Sequence, residues 1–432
     1  TIDVNIVSSV NIFNKEILEE RKDIIESLRA KKDLALKIQE PLSILGKKQS
    51  KDIFAYFKSG LDIKTNPLLA YRILSYLSYF SIALLLINRQ LGFIALATIL
   101  SINAWIYQRN KYKIEAEIEI FRYIANLVKC AEQVKKIDSQ GIDLKQDRMQ
   151  ILLKETRQIY KNVSALNTNA SPNNEFQIIL DYINMLTLRE AIIFYKTINL
   201  MNDYRDQLLE IYSLIGQVDS YLALASYKDG LTYSSQPQYI RTEGEFYLKA
   251  EALYHPLIEK PVPYDFEFAN KGALVTGSNA SGKSTFLRTI GINSLLGQTF
   301  YFVLAKNYKS NFFKLLTSIG TTDSIEEGDS YFMAEAKSLK RIIDSLDKDQ
   351  AVLCILDEIF RGTNTAERIS AASEVLTYMS NENSCVVAAT HDLELTSMID
   401  EKYNNYHFKE TIEENDIIFD YILNNGPTTS RN

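Results

Sequence analysis

The sequence predicts a chain of class α + α/β, helical in its first half and α/β in its second, with a helical hairpin set into the first. Three observations carry that reading. From about 109 to 225 the chain is nearly free of Pro and Gly, and helical periodicity dominates. From about Ser234 to the end, strand-like and helix-like segments alternate, as in a sheet covered by helices. Two long apolar runs, Leu68–Ile87 and Leu91–Tyr107, are separated only by Asn88, Arg89 and Gln90. At 432 residues the chain is too long for one compact core. The parts expected are a helical N-terminal segment at 1–66, a hydrophobic hairpin at 67–108, a helical domain at 109–235 and an α/β domain at 236–432.

Residues 11–40, "NIFNKEILEERKDIIESLRAKKDLALKIQE", place apolar side chains at three-to-four spacing among mixed charges and predict one amphipathic helix ending at Pro41. The twenty residues Leu68–Ile87 would span about 30 Å as a helix, matching the hydrocarbon core of a bilayer. Leu91–Tyr107 reaches about 25 Å and would need local thinning or help from flanking residues. The link between them leaves room only for a tight antiparallel turn. Lys58 and Lys64 precede the hairpin and Arg109, Lys111 and Lys113 follow it, against the single Arg89 in the turn. That bias predicts a membrane hairpin across residues 68–107 with both ends in the cytoplasm, so that a cytoplasmic C-terminal domain is anchored to the inner (cytoplasmic) membrane. Trp105 and Tyr107 would lie at the interface. The competing reading is a hairpin buried in a protein core or a dimerisation surface. Arg72, Asn103 and the Ser- and Tyr-rich first half support it, although Arg72 is near enough to its end to snorkel.

Further along, "NTNASPNNE" at 167–175 predicts a break, and "QLLEIYSLIGQVDSYLALASYK" predicts one long helix. "EFYLKAEALYHPLI" and "GALVTG" then read as strands. Hydrophobic residues at 46% and charged residues at 24% fit an ordinary folded protein. A net charge of −6 excludes a global basic field that would draw the chain onto nucleic acid or anionic lipid. Cys130, Cys354 and Cys385 form no CxxC pair, and the last two sit in apolar runs, which points to a reducing compartment rather than a disulfide framework. No signal peptide is recognised; the chain opens on Thr1 and stops after "NNGPTTSRN", so both ends are expected to be incomplete.

The chemistry is carried by three strand ends. "GSNASGKST", Gly277, Ser278, Asn279, Ala280, Ser281, Gly282, Lys283, Ser284 and Thr285, fits G-x-x-x-x-G-K-[ST], with the apolar strand "ALVTG" before it and "STFLRTIGINSLLG" continuing as a helix. In that context loop N–H groups and the helix N-terminus cradle phosphates, Lys283 reaches the β and γ phosphates, and the Ser284 hydroxyl ligates Mg²⁺. "AVLCILDEIF" delivers Asp357 and Glu358 at the end of a buried strand. Asp357 fits the Mg²⁺-holding carboxylate and Glu358 a general base for the attacking water. "CVVAATHDLE" ends a third strand at Thr390, His391 and Asp392, where His391 fits a γ-phosphate sensor. "NKGA" at 270–273 lacks the Asp of a guanine-specifying motif, which excludes a GTPase. An Asp-Glu pair followed by a strand-end His predicts hydrolysis of ATP by water, as in ABC-type ATPases.

"TGSNASGKSTFLRTIG", "SIGTTDSIEEGDSYFMAEAKSLKRII", "CILDEIFRGTNTAER" and "AATHDLELTSM" follow one another in the order and spacing of the MutS family ATPase domain. Together with "ALYHPLI" before them and "YHFKE…FDYILNNGP" after, they make residues 235–432 resemble that family. The resemblance implies ATP and Mg²⁺ as ligands and a homodimer formed through the ATPase domains. It carries over Asn279, Lys283, Ser284, Asp357, Glu358 and His391 as nucleotide-site residues. Ser330 in "EEGDSYF" matches the family's signature serine, which reaches the nucleotide in the other subunit. Ser278 stands where the family usually has Pro, "NAS" replaces "NMG", and Tyr331 follows Ser330 where Thr is usual, which marks a divergent branch. The family's Phe-x-Glu mismatch wedge has no counterpart near the N-terminus; Phe408-Lys409-Glu410 is expected to be a strand end. The helical region is lever-like but too short for complete lever and clamp domains. DNA as a partner, of the mismatch-repair or DNA-structure-sensing type, is implied by kinship alone. The leading expectation is thus a MutS-like, DNA-associated, nucleotide-switched dimeric ATPase. The alternative is a membrane-anchored ABC-type mechanical ATPase acting on a protein or membrane partner without DNA.

Overall fold

A computed structural model describes residues 14–46, 51–61, 67–139, 141–166, 182–241, 245–319, 331–346, 350–360, 364–413 and 416–428. The chain divides into two compact units. One runs from Ile24 to Ser226; the other takes the described residues up to Asp23 together with Tyr227 onward. The predicted break at 167–175 lies outside the described residues.

The first unit is helical. The helix predicted to run from 11 to Pro41 is instead two, α1 (Lys15–Ala30) and α2 (Lys32–Leu45), parted at Lys31 (φ −105°, ψ 69°). Pro41 lies inside α2 and is buried there, so that packing of its ring offsets the helical N–H bond it cannot donate. α3 (Lys51–Ser59) is tied to the body by Tyr56, whose hydroxyl donates to the Met201 carbonyl at 2.6 Å. α4 (Leu68–Ile87), α5 (Arg89–Lys136), α6 (Gln146–Leu166), α7 (Arg189–Asp203) and α8 (Arg205–Asp229) complete it. α6 buries Met149, Leu152, Thr156, Ile159, Val163 and Leu166, spaced three and four apart, on a single stripe. Against such stripes pack Phe121, Ile124 and Leu127 of α5 and Phe194, Ile198 and Met201 of α7.

The second apolar run does not end at Tyr107. α5 is continuous for 48 residues, about 72 Å at helical rise. Only Asn88 lies outside the two helices of the hairpin, and its Oδ1 accepts from the Leu91 N–H at 3.2 Å as an N-cap. The turn closes so tightly that a Cβ on Gly92 would fall 2.5 Å from the Leu85 nitrogen. Polarity in this hairpin is inverted. Ser78, Ser81, Asn103 and Asn110 are buried, while Leu86 and Ile87 are 90% and 84% exposed. Asn103 Nδ2 donates to Ser78 Oγ at 3.0 Å and to the Leu186 carbonyl at 2.9 Å, and Asn110 Nδ2 donates to the Tyr71 hydroxyl at 3.0 Å.

The second unit holds two sheets. The smaller joins β1 (Gln238–Tyr239), β5 (Asn307–Ser310), β2 (Tyr247–Leu253) and β3 (Tyr264–Ala269) in that order. The larger has the order β10 (Asp416–Asn425), β9 (Tyr403–Glu413), β4 (Gly272–Thr276), β8 (Ser384–Ala389), β7 (Val352–Asp357), β6 (Lys314–Ser318). It is parallel throughout except for β10, which pairs antiparallel with β9. One face (Val275, Leu353, Ile355, Val387) packs on α9 (Lys283–Phe300) through Phe286, Leu287 and Ile290, and Leu248, Phe266 and Phe268 of the smaller sheet belong to the same core. The other face (Leu274, Cys354, Leu356, Val386) is covered by α10 (Tyr331–Asp344), α11 (Thr365–Ser380) and α12 (Leu393–Met398). Burial on both faces explains why β4, β7 and β8 read as continuous apolar runs rather than alternating ones. Cys130, Cys354 and Cys385 are all buried and free. Phe408-Lys409-Glu410, expected at a strand end, lies within the eleven-residue β9. Arg21 at the start of the described chain donates to the Thr299 carbonyl at the end of α9, 2.8 Å away.

Candidate nucleotide site

The larger sheet brings three sequence-distant motifs to one edge. Val275 is level with Ala389, and Ala389 with Asp357, so β4, β8 and β7 end together. Backbone bonds fasten the tips beyond the ladder: Thr390 N donates to the Val275 carbonyl at 3.0 Å and Glu358 N to the Ala389 carbonyl at 3.1 Å. Parallel strands ending level leave their polar continuations over a shared crevice, where α/β sheets bind ligands.

After β4 the loop turns through left-handed backbone at Gly277 (φ 142°), Ala280 (φ 64°) and Gly282 (φ 109°) and enters α9 at Lys283. Gly277 is required sterically as well, since a Cβ there would lie 2.8 Å from Ser281 Oγ and 3.1 Å from the Phe408 carbonyl. Lys283 is buried, and its ammonium donates to the carbonyls of Gly277 at 2.7 Å and Ser278 at 2.8 Å. The loop's own oxygens thus hold the cation that phosphate oxygens would take. Two buried side-chain atoms of the site have no hydrogen-bond partner among the described residues: Ser281 Oγ in the loop and Asp357 Oδ1 at the end of β7. An orphaned buried carboxylate oxygen is costly unless a ligand or cation completes it, and with Ser284 at the start of α9 it fits a Mg²⁺ carried in on nucleotide phosphates.

Glu358 follows with left-handed backbone (φ 56°), and its Oε1 meets His391 Nε2 at 2.7 Å. The turn carrying His391 is braced behind by Arg368 of α11, whose guanidinium grips Asp392 through two bonds of 2.8 and 2.5 Å. That pairing raises the Arg368 pKa further above its ordinary value. Asp392 N donates to Thr390 Oγ1 at 3.0 Å and closes the same turn.

The loop opens on a cleft of about 490 Å³. Asn279, Ala280, Ser281, Gly282, Lys283, Ser284, Thr285 and Glu358 line its polar side. The structure therefore unites residues 279–285 of the predicted loop with Glu358 in one cleft, leaves Gly277 and Ser278 outside its lining, and sets Asp357 and His391 on the same sheet edge. Ser330, the predicted signature serine, lies outside the described residues.

The opposite wall is apolar and aromatic: Ile258, Pro261, Val262, Tyr264 and Tyr421, with His255. These residues were not picked out individually from the sequence. "ALYHPLI" was the available signal for His255. Tyr421 had none, because it reaches the cleft through a register shift in β10 and left-handed backbone (φ 57°). Burial, and then the nearby Arg288 charge, push the His255 pKa down, and its Nδ1 accepts from Leu257 N at 3.2 Å. A neutral imidazole among apolar side chains suits the face of a heterocyclic base. Glu410, from the misplaced Phe-Lys-Glu triplet, accepts a hydrogen bond from the Ser278 hydroxyl, so the serine that departs from the family's usual proline is anchored on β9.

Strand–loop–helix cradle, level carboxylates and strand-end histidine define this unit as a P-loop α/β domain of the ABC type. Residues 273–431 match the family model for MutS domain V. The chain is 29% identical over 249 residues to DNA mismatch repair protein MutS of Thermus aquaticus, covering 57% of this chain and 30% of that protein. It is 31% identical over 236 residues to DNA mismatch repair protein MutS of Natronomonas pharaonis, covering 51% and 26%. It is 36% identical over 162 residues to DNA mismatch repair protein MutS 2 of Haloarcula marismortui, covering 37% and 17%. Residues 273–431 are thus similar to MutS domain V, and the match spans less than a third of the length of these relatives.

Proposed function

We propose that the chain binds and hydrolyses MgATP and works as a nucleotide-switched dimer. The observation that carries this reading is the single sheet edge on which Lys283, Asp357, Glu358 and His391 converge. On nucleotide binding, Lys283 exchanges the Gly277 and Ser278 carbonyls for β and γ phosphate oxygens. Ser284 and Asp357 would hold Mg²⁺, which would supply charge neutralisation on the phosphates. Glu358 takes the proton of the attacking water, and His391, already bonded to it, orients that carboxylate and senses the γ phosphate. The apolar wall around His255, Tyr264 and Tyr421 receives the base. Ser330 completes the site of the other subunit, which makes hydrolysis a property of two chains. Purified protein should hydrolyse ATP only with Mg²⁺ present, and chelation should abolish turnover; activity unchanged by chelation contradicts the assignment of Ser284 and Asp357.

The relatives' names point to DNA of the mismatch-repair type as the partner. We read that association as structure-selective or weak rather than mismatch-selective: the Phe-x-Glu triplet of this sequence, Phe408-Lys409-Glu410, lies within β9, where Glu410 is bonded to Ser278. One titration of homoduplex, mismatched and branched DNA, repeated across a salt series, decides this; affinity should fall as salt rises. A clear preference for a single mismatch over homoduplex overturns it.

The hairpin favours a second reading, a membrane-anchored mechanical ATPase acting on a protein or membrane partner without DNA. Helices 68–87 and 89–112 are long and apolar enough to cross a bilayer, yet only 11% and 17% of their apolar windows are buried. A helix of a protein core would be mostly buried. Apolar side chains outward and polar ones paired inward is the arrangement expected of a helix pair in lipid. In this reading the ATPase domain is cytoplasmic and held at the membrane. Carbonate washing of membranes tests it, and release into the supernatant excludes the anchor.

A further inference from the structure

The surroundings of the hairpin are specified by charge as well as by hydrophobicity. From residue 63 to residue 114 the chain contains no Asp or Glu, while it contains Lys64, Arg72, Arg89, Arg109, Lys111 and Lys113. Ser78 bonds to Asn103 and Tyr71 to Asn110, and this antiparallel register sets Arg72 level with Arg109. Both are exposed, as is Lys111. Twenty residues of α5 separate Arg109 from Arg89 in the turn, about 30 Å, the thickness of a hydrocarbon core. Trp105 is 63% exposed, and the Arg109 guanidinium lies 5.5 Å from its ring centroid. An exposed Trp beside an Arg at one end of an apolar span marks the headgroup level.

We propose that Arg72, Arg109 and Lys111 form a collar that recruits anionic phospholipid headgroups around the base of the hairpin. The proposal rests on the bilayer reading above and adds the class of lipid. A zwitterionic surface offers these cations no net countercharge, whereas an anionic leaflet favours each by a factor of about five near the surface. A second copy of the chain is a poorer occupant: across a two-fold axis this region would meet the same cations, again without a carboxylate from 63 to 114.

Trp105 is the only tryptophan in the chain and reports from the collar itself. The full chain would be reconstituted in phosphatidylcholine bilayers containing a minor fraction of phosphatidylglycerol, with brominated acyl chains on one lipid or the other at equal bromine content. Quenching, normalised to unbrominated bilayers for each variant, gives the relative association of the two lipids. The expected ratio is about five or more in favour of the anionic lipid, falling toward one in Arg72→Gln/Arg109→Gln and retained in Arg72→Lys/Arg109→Lys. Equal quenching by both lipids, or an anionic excess that survives the glutamine pair, overturns the collar and leaves the anchor standing. No quenching by either lipid, from protein that stays in the aqueous fraction, overturns the bilayer reading and the collar with it.

Discussion

In the C-terminal unit polar side chains gather at one edge of an apolar sheet, whereas in the hairpin Ser78, Ser81, Asn103 and Asn110 are buried and Leu86 and Ile87 face outward. Both regions bury polar atoms, but for different ends. At the sheet edge Asp357 Oδ1 and Ser281 Oγ lack partners among the described residues, which suits a site waiting for ligand. In the hairpin Ser78, Asn103 and Asn110 bond to one another's helices, which suits a seam that holds two helices together where the surroundings supply no hydrophobic drive. An orphan alone does not mark chemistry, since Asn103 Oδ1 in the hairpin also lacks a partner among the described residues; the sheet edge differs in setting its two orphans beside Lys283 and Glu358 where the strands end together.

That contrast can be broken from either side. The largest effect is expected from Lys283→Ala, which should abolish ATP binding, since the lysine is the buried cation on the loop; calorimetry or fluorescent-nucleotide titration reads it. If Lys283→Ala subunits are mixed with Ser330→Ala subunits, activity should reappear in one composite site per heterodimer. Specific activity that holds constant down to a demonstrated monomer would remove the two-chain requirement. His391→Ala should slow turnover by about 10²-fold or more while leaving ATP affinity nearly intact, if the imidazole bonded to Glu358 is the γ-phosphate sensor proposed above. His255→Ala should raise KM about ten-fold at unchanged kcat if the apolar wall contributes binding alone. Its depressed pKa fixes the sign of a pH effect: protonating His255 is harder in the folded state, so it contributes stability above its unfolded pKa that is lost as pH falls through the folded one. Smallest is Asn103→Leu, which removes the Ser78 bond from the seam. Loss of about 0.6–2 kcal/mol should lower the unfolding midpoint in detergent by a few degrees. No change in that midpoint would mean the seam is not what joins the helices.

The sheet edge was legible because its residues fall in short runs local in sequence. Loop 277–285, Asp357-Glu358 and His391 each terminate an apolar run, and such runs end where a parallel sheet ends. The aromatic wall was not legible, since Tyr421 depends on a register shift and His255 on a loop, neither of which leaves a periodic signal. The hairpin's existence could be read from two apolar runs, but the continuation of α5 to Lys136 could not: its outward surfaces change from apolar to charged without any helix-breaking residue. Pro41 misled in the opposite sense, as a breaker residue that packing retained inside α2.

Chemistry at the sheet edge is separated from mere binding most directly by the ATP affinity and turnover of Glu358→Gln beside wild type. Wild-type affinity is expected, with turnover reduced about 10²–10⁴-fold, the worth of a general base. Wild-type turnover, or a loss of binding as complete as that of Lys283→Ala, would contradict that expectation.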